Sequence, residues 1–216
     1  MTLLAGVLDA TSILRLGGVF VATMTGNLVF IGLAAAGATE FAVGTPALAL
    51  GGFVIGALIG ARTCRAARSH RGLALRNVLV VKLWLAGSVT VIGLITGPRF
   101  PTGARDVMVA LLAISMGAQL AAIRYLKVPD LLTVVLTMTI TGALTERPSG
   151  WKDPKLLRRG LALAAFAIGA VSGALLILHA GVVAALCFGL GILVAIALAA
   201  HVASRATASW SAPRSA

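Results

Sequence analysis

Apolar runs recur near residues 47–61, 78–97, 107–123, 160–178 and 181–200, and nothing else in the chain limits the fold as tightly. Each is close to the ~20 residues that cross a ~30 Å hydrocarbon layer as a helix. Lipid offers backbone groups no partner, so a spanning chain must be helical or close into a barrel. Ten-residue alternation of apolar and polar side chains is missing, and Ala, Leu and Gly dominate. The chain therefore reads as an all-α polytopic membrane protein. Composition agrees: 59% of residues are hydrophobic and 11% charged, against roughly 25% charge in a soluble domain.

A formal charge of +12 would suggest nucleic acid in a soluble protein. Here the basic residues gather in loops, as the positive-inside rule requires, without the interleaved aromatics of single-strand binders. No nucleic-acid partner is expected. Cys64 and Cys187 stand alone, with neither CxxC nor Cys/His spacing, so neither a disulfide nor a metal is expected. The opening MTLLAGVLDATSIL lacks a basic n-region and a small-residue cleavage site, and is not read as a removable signal. No Ser/His/Asp or Cys/His set, P-loop or dinucleotide-binding glycine pattern occurs, which points away from an enzyme or a cofactor.

Two halves are visible. FVIGALIG (53–60) and FAIGAVSG (166–173) share F-x-x-G-x-x-x-G at an offset of 113; TMTG (23–26) answers TMTITG (137–142), and Gly6 answers Gly117. Three features in one order divide the chain into membrane repeats at 1–105 and 106–216. Loops 62–76 (Arg62, Arg65, Arg68, Arg71, Arg76) and 146–159 (Arg147, Lys152, Lys155, Arg158, Arg159) are strongly basic. They are expected in the cytoplasm together with the C-terminus. Their counterparts, 38–46 and the turn at His179–Gly181, carry no Lys or Arg. Equivalent loops on opposite sides make the repeats inverted, with Arg99 and Arg105 a mild violation in an outer loop.

Inversion needs an odd number of net crossings per half. Yet each half holds four helical stretches: 1–16, 24–37, 47–61 and 78–97, then 107–126, 133–145, 160–178 and 181–201. The first two of each half are read as one discontinuous unit with a single net crossing, broken near 17–27 and 131–142. Either two half-helices meet through extended backbone, or a full helix precedes a re-entrant segment. GGVFVAT favours extended backbone; TGN resembles a helix start with Thr25 as N-cap. A helix over 26–37 is about 18 Å long, too short to span alone. Non-helical backbone at membrane depth must be buried in protein or line a cavity, so the two knots are expected to face each other, or a shared cavity, at the repeat interface near mid-depth.

Facing helix N-termini suit an anion or the carboxylate of a zwitterion. Thr23, Thr25, Asn27, Thr137, Thr139 and Thr141 would add neutral donors and acceptors, and Gly26 and Gly142 would let a ligand approach the backbone. The alternative is packing alone. Asp9 in an apolar stretch costs ~2.5–3.5 kcal/mol on insertion scales and is expected to face the interior. There it would bind a cation, carry a proton, or pair with Arg15 or Arg124; a place at the interface is the duller alternative. Gln119 is its neutral counterpart in the second half. Lys82, a few residues into its stretch, is expected to snorkel to the cytoplasmic surface. Gly52, Gly56, Gly60, Gly169 and Gly173 form helix-packing faces, within the chain or between subunits of a homo-oligomer.

AGVLDATSILRLGGVFVATMTGNLVFIGLAAAG, FVIGALIGAR, MGAQLAAIRYL and LTMTITGALT together resemble the YoaK family of bacterial inner-membrane proteins over most of the chain. The GxxDA…GN-L segment is the most specific part, and Gly6, Asp9, Ala10, Thr25, Gly26, Asn27, Gly117, Gln119, Thr141 and Gly142 carry the likeness. The resemblance implies a domain of unknown function with about six spans, and brings no substrate. Two departures are a shorter N-terminus, implying an incomplete first helix, and Lys82 where the family pattern implies an acid. Broken segments at corresponding positions of two halves point to a secondary transporter or permease of a small anionic or carboxylate-bearing solute, with Asp9 coupling protons or a cation. A channel with the same half-helices and a non-transporting scaffold or partner subunit are the alternatives.

Overall fold

The computed structural model of the protein describes residues 1–67, 71–97, 100–126 and 154–205, side chains at 154–156, 159 and 203–205 excepted. Among them seven helices follow one another: α1 (Thr2–Arg15), α2 (Met24–Ala35), α3 (Gly44–Ala66), α4 (Arg71–Thr96), α5 (Thr102–Tyr125), α6 (Pro154–Ala180) and α7 (Val182–Arg205). Each of α3 to α7 contains a stretch long and apolar enough to cross a membrane, whereas α2 is apolar but short and α1 has 14 residues. The chain is an all-α polytopic membrane protein. The second knot, 137–142, the stretch 133–145 and residues 146–153 of the second basic loop lie outside the described residues.

The helices overrun the first basic loop. α3 continues through Arg65 and α4 begins at Arg71, so the connection is far shorter than the expected 62–76. Hydropathy falls at Arg62, but Ala, Arg and Leu are all strong helix formers, and the backbone ladder continues through them.

Two glycine interfaces organise the bundle. α3 lies on α5 so closely that a Cβ at Gly56 would collide with the Ile114 carbonyl, and one at Gly117 with that of Phe53. α6 lies on α1 in the same way, Gly169 against the Leu3 carbonyl and Gly6 against that of Phe166. Gly169 and Phe166 follow Gly56 and Phe53 by 113 residues, and Gly6 and Leu3 precede Gly117 and Ile114 by 111. One contact is thus made twice, between α3 and α5 and between α6 and α1. Backbones this close gain dispersion and Cα–H···O contacts that a side chain would forbid. Gly52 meets Ala110, Gly56 meets Ile114 and Gly60 meets Ala118, so α3 and α5 run in the same direction.

α1 and α5 are the enclosed helices. In α5, 56% of the spanning window is buried, against 17–33% in the other spans. α1 buries Thr2, Leu4, Ala5, Gly6, Val7, Leu8, Asp9, Thr11 and Ser12. The polar side chains singled out in the sequence, Asp9 and Gln119, therefore sit on the two helices that lipid reaches least.

After α1 the chain reverses at Gly17 (φ 103°) and Gly18 (φ 72°), left-handed conformations that glycine adopts at no steric cost. Residues 19–23 then run back along α1 until Val21 and Ala22 lie beside Asp9, about 9 Å short of the helix end at 1.5 Å per residue. α2 starts there, at Met24, with Thr23 as its N-cap rather than Thr25.

Candidate functional site

Asp9 is 3% exposed, and the segment that doubles back takes up both of its carboxylate oxygens. Oδ1 accepts from the N–H groups of Val21 at 2.8 Å and Ala22 at 2.7 Å, and Oδ2 from the Thr23 hydroxyl at 2.7 Å. Asn27 holds the same segment from α2: Oδ1 accepts from the Phe20 N–H at 2.8 Å while Nδ2 donates to the Phe20 carbonyl at 2.6 Å. Extended backbone inside a bundle carries groups that lipid cannot satisfy, and here one carboxylate and one amide satisfy them. The carboxylate also sits at the N-terminus of α2, where negative charge is favoured. A Cβ at Gly26 would come within 2.5 Å of the Phe20 ring, so only glycine lets that ring lie on α2. Phe20 stacks on Phe30, and Phe30 on Phe41.

The sequence places an external anion at these backbone donors. In the structure Asp9 itself fills that position, with neither Arg15 nor Arg124 among its partners. Thr23 and Asn27 join Asp9 in the clamp and Gly26 supports it, but Thr25 is exposed on α2. Thr137, Thr139, Thr141 and Gly142 lie outside the described residues. Gly52, Gly56, Gly60, Gly169 and Gly173 all lie at interfaces within the chain. Cys64 is buried and Cys187 exposed, both as free thiols.

A second polar centre lies on α4 and α5. Lys82 is 0% exposed and does not snorkel. Its helix begins at Arg71, which places it about 16 Å along α4. Nζ donates to Gln119 Oε1 and lies 3.9 Å from Met116 Sδ; both partners are neutral. Beside it is a cavity with room for the centre of one water molecule, about 10 Å³, whose lining includes Lys82, Thr90, Ser115, Leu4, Leu8 and Leu193. Gln119 therefore serves Lys82 rather than mirroring Asp9. Sequence reading passed over Lys82 because its apolar stretch begins at Val78, whereas the helix begins seven residues earlier. The signal available was the lysine's place in an unbroken apolar run, LVVKLWLAG.

Over residues 1–199 the chain matches a family described as a protein of unknown function, DUF1275. It is similar to the UPF0700 transmembrane protein YoaK of Bacillus subtilis (strain 168), 31% identical over 187 residues that cover 81% of this chain and 80% of the relative. No solved structure matches. With five helices of spanning length among the described residues, these likenesses make it a multi-pass protein of the bacterial inner (plasma) membrane, and the chain belongs to the YoaK family, DUF1275.

Proposed function

We propose that the protein is a secondary transporter of a small, anionic or carboxylate-bearing solute, built from two oppositely oriented halves, 1–105 and 106–216. The observation that carries this reading is the small, largely apolar cavity at the seam of the halves, which holds the buried Lys82 and is walled by α1 and α4 from the first and α5 and α7 from the second. Binding at such a seam is how inverted-repeat transporters expose one site to either side in turn.

Contacts along α1 support opposed halves. It ends at Gly17 beside Arg105 near the start of α5, while Leu4 and Leu8 near its beginning share a cavity with Lys82, whose partner Gln119 is near the end of α5. Equivalent helices running oppositely are what inversion requires. Arg62 and Arg65 at the end of α3 and Arg71 and Arg76 at the start of α4 cluster at one end of the bundle, which we assign to the cytoplasm with the C-terminus. Asp9 in this reading positions the broken segment, since both of its oxygens are engaged. Gly52, Gly56, Gly60, Gly169 and Gly173 pack inside the chain, so a scaffold would have to rely on its basic loops.

Purified protein in proteoliposomes is expected to take up a radiolabelled anion from a panel of halides, nitrate and short monocarboxylates. Uptake should saturate and accelerate against an opposing gradient of the same solute. Conductance steps without counterflow stimulation would make the protein a channel instead, and no flux with any member of the panel would remove the transport reading.

A further inference from the structure

We infer that Lys82, held by Gln119 and joined by the Ser115 hydroxyl, forms a binding site for one small monovalent anion inside the bundle. This deepens the transport reading, on which it rests for its physiological meaning, by placing the negative charge of the solute. An ammonium group at membrane depth costs ~2.5–3.5 kcal/mol on insertion scales, a cost usually offset by a carboxylate. Lys82 has three N–H donors, and the described chain gives them an amide oxygen and a thioether, of which the second is a weak acceptor. Neither carries charge. An anion in the adjoining cavity would meet the ammonium in a charge-assisted hydrogen bond, the stronger kind, with Ser115 as a second donor. Thr90 contributes less, because its hydroxyl already donates to the Ala86 carbonyl at 2.9 Å.

Charge and size narrow the ligand. Among the described residues, Lys82 is the one charged side chain lining the cavity, so a monovalent anion matches its charge, whereas a divalent anion would bring an excess negative charge among Leu4, Leu8, Leu112 and Leu193. Room for about one water centre suits one oxygen of a carboxylate, while a halide, larger than water, would need the walls to give slightly. A longer monocarboxylate would have to widen the seam.

The test uses the full chain in nanodiscs, melted at constant ionic strength while sodium gluconate is replaced by chloride, nitrate, formate or acetate, with sulfate as the divalent control. At ~100 times the dissociation constant, one of the monovalent anions is expected to raise Tm by about 5 °C or more, and sulfate to do little. Lys82→Arg should keep part of the response. Lys82→Met should abolish it, and should melt at or above wild type in gluconate because an uncompensated buried charge has been removed. No anion response in wild type, a response surviving in Lys82→Met, or Lys82→Met melting well below wild type in gluconate would each overturn the site; the last would mean that the chain itself neutralises the lysine. Lys82-dependent binding without flux in proteoliposomes removes the transport reading alone, and flux in wild type with no Lys82-dependent anion response removes the site alone.

Discussion

Gly56→Leu and Gly169→Leu should each abolish folded, monodisperse protein, while Gly51→Leu leaves it intact. Gly51 has nothing within 4 Å of where a Cβ would stand, so its new side chain reaches lipid or solvent. Gly56 and Gly169 face carbonyl groups, of Ile114 and Leu3, on the neighbouring helix. A side chain in the way can change rotamer, but a helix backbone cannot, so the helices must separate along the whole interface. Overpacking an ordinary core costs ~1–3 kcal/mol and occasionally more. Here the loss extends to the neighbouring glycine contacts, in a fold with only ~5–15 kcal/mol to lose. Even alanine at either position should lower Tm by about 5 °C or more, at roughly 2–4 °C per kcal/mol for a chain of this length. Size-exclusion profiles and thermal melts read both effects. The two positions should respond alike, because each meets a backbone carbonyl of the helix packed against its own. Tolerance at one and collapse at the other would deny that equivalence.

That interface was legible because its glycines are its mechanism. A four-residue glycine period marks one helix face, its recurrence 113 residues later marks a second such face, and Gly6 and Gly117 mark the opposing faces. Nothing comparable announces the partners of Asp9. The groups that satisfy it are the N–H groups of Val21 and Ala22 and the hydroxyl of Thr23, 12 to 14 residues away. Two of these three are backbone atoms, which leave no trace in a sequence. The same contact explains the misplaced helix start: with Asp9 gripping 21–23, α2 begins at Met24 and Thr25 falls on an exposed face. Lys82 escaped for a different reason. Hydropathy reports where lipid-compatible side chains begin, and α4 begins earlier, in RGLALRN, whose side chains are polar enough to hide a helix that its propensities allow.

Asp9→Leu is expected to lower Tm by about 10 °C or more, and Asp9→Asn by only a few degrees. Leucine leaves the Val21 and Ala22 N–H groups and the Thr23 hydroxyl without their acceptor in a buried site, and each buried unpaired group costs ~1–3 kcal/mol. At roughly 2–4 °C per kcal/mol the sum is large. Asparagine keeps an oxygen for both N–H groups and offers its amide N–H to a rotated Thr23 hydroxyl, so the geometry survives and only the charge assistance is lost. Thr23→Val removes one bond and should fall between them. Asn27→Ala frees the N–H and carbonyl of Phe20 and should approach Asp9→Leu. A carboxylate that carries the coupling ion predicts another pattern: Asp9→Asn would melt like wild type yet lose gradient-driven uptake, because the amide holds the segment but cannot change charge. Melting curves and counterflow measured on the same Asp9→Asn preparation therefore separate a clamp that stays shut from one that must open in every transport cycle. With both oxygens bound at 2.7–2.8 Å by groups that asparagine can still satisfy, the clamp reading expects uptake by Asp9→Asn to stay within about fivefold of wild type, the rate equivalent of about 1 kcal/mol.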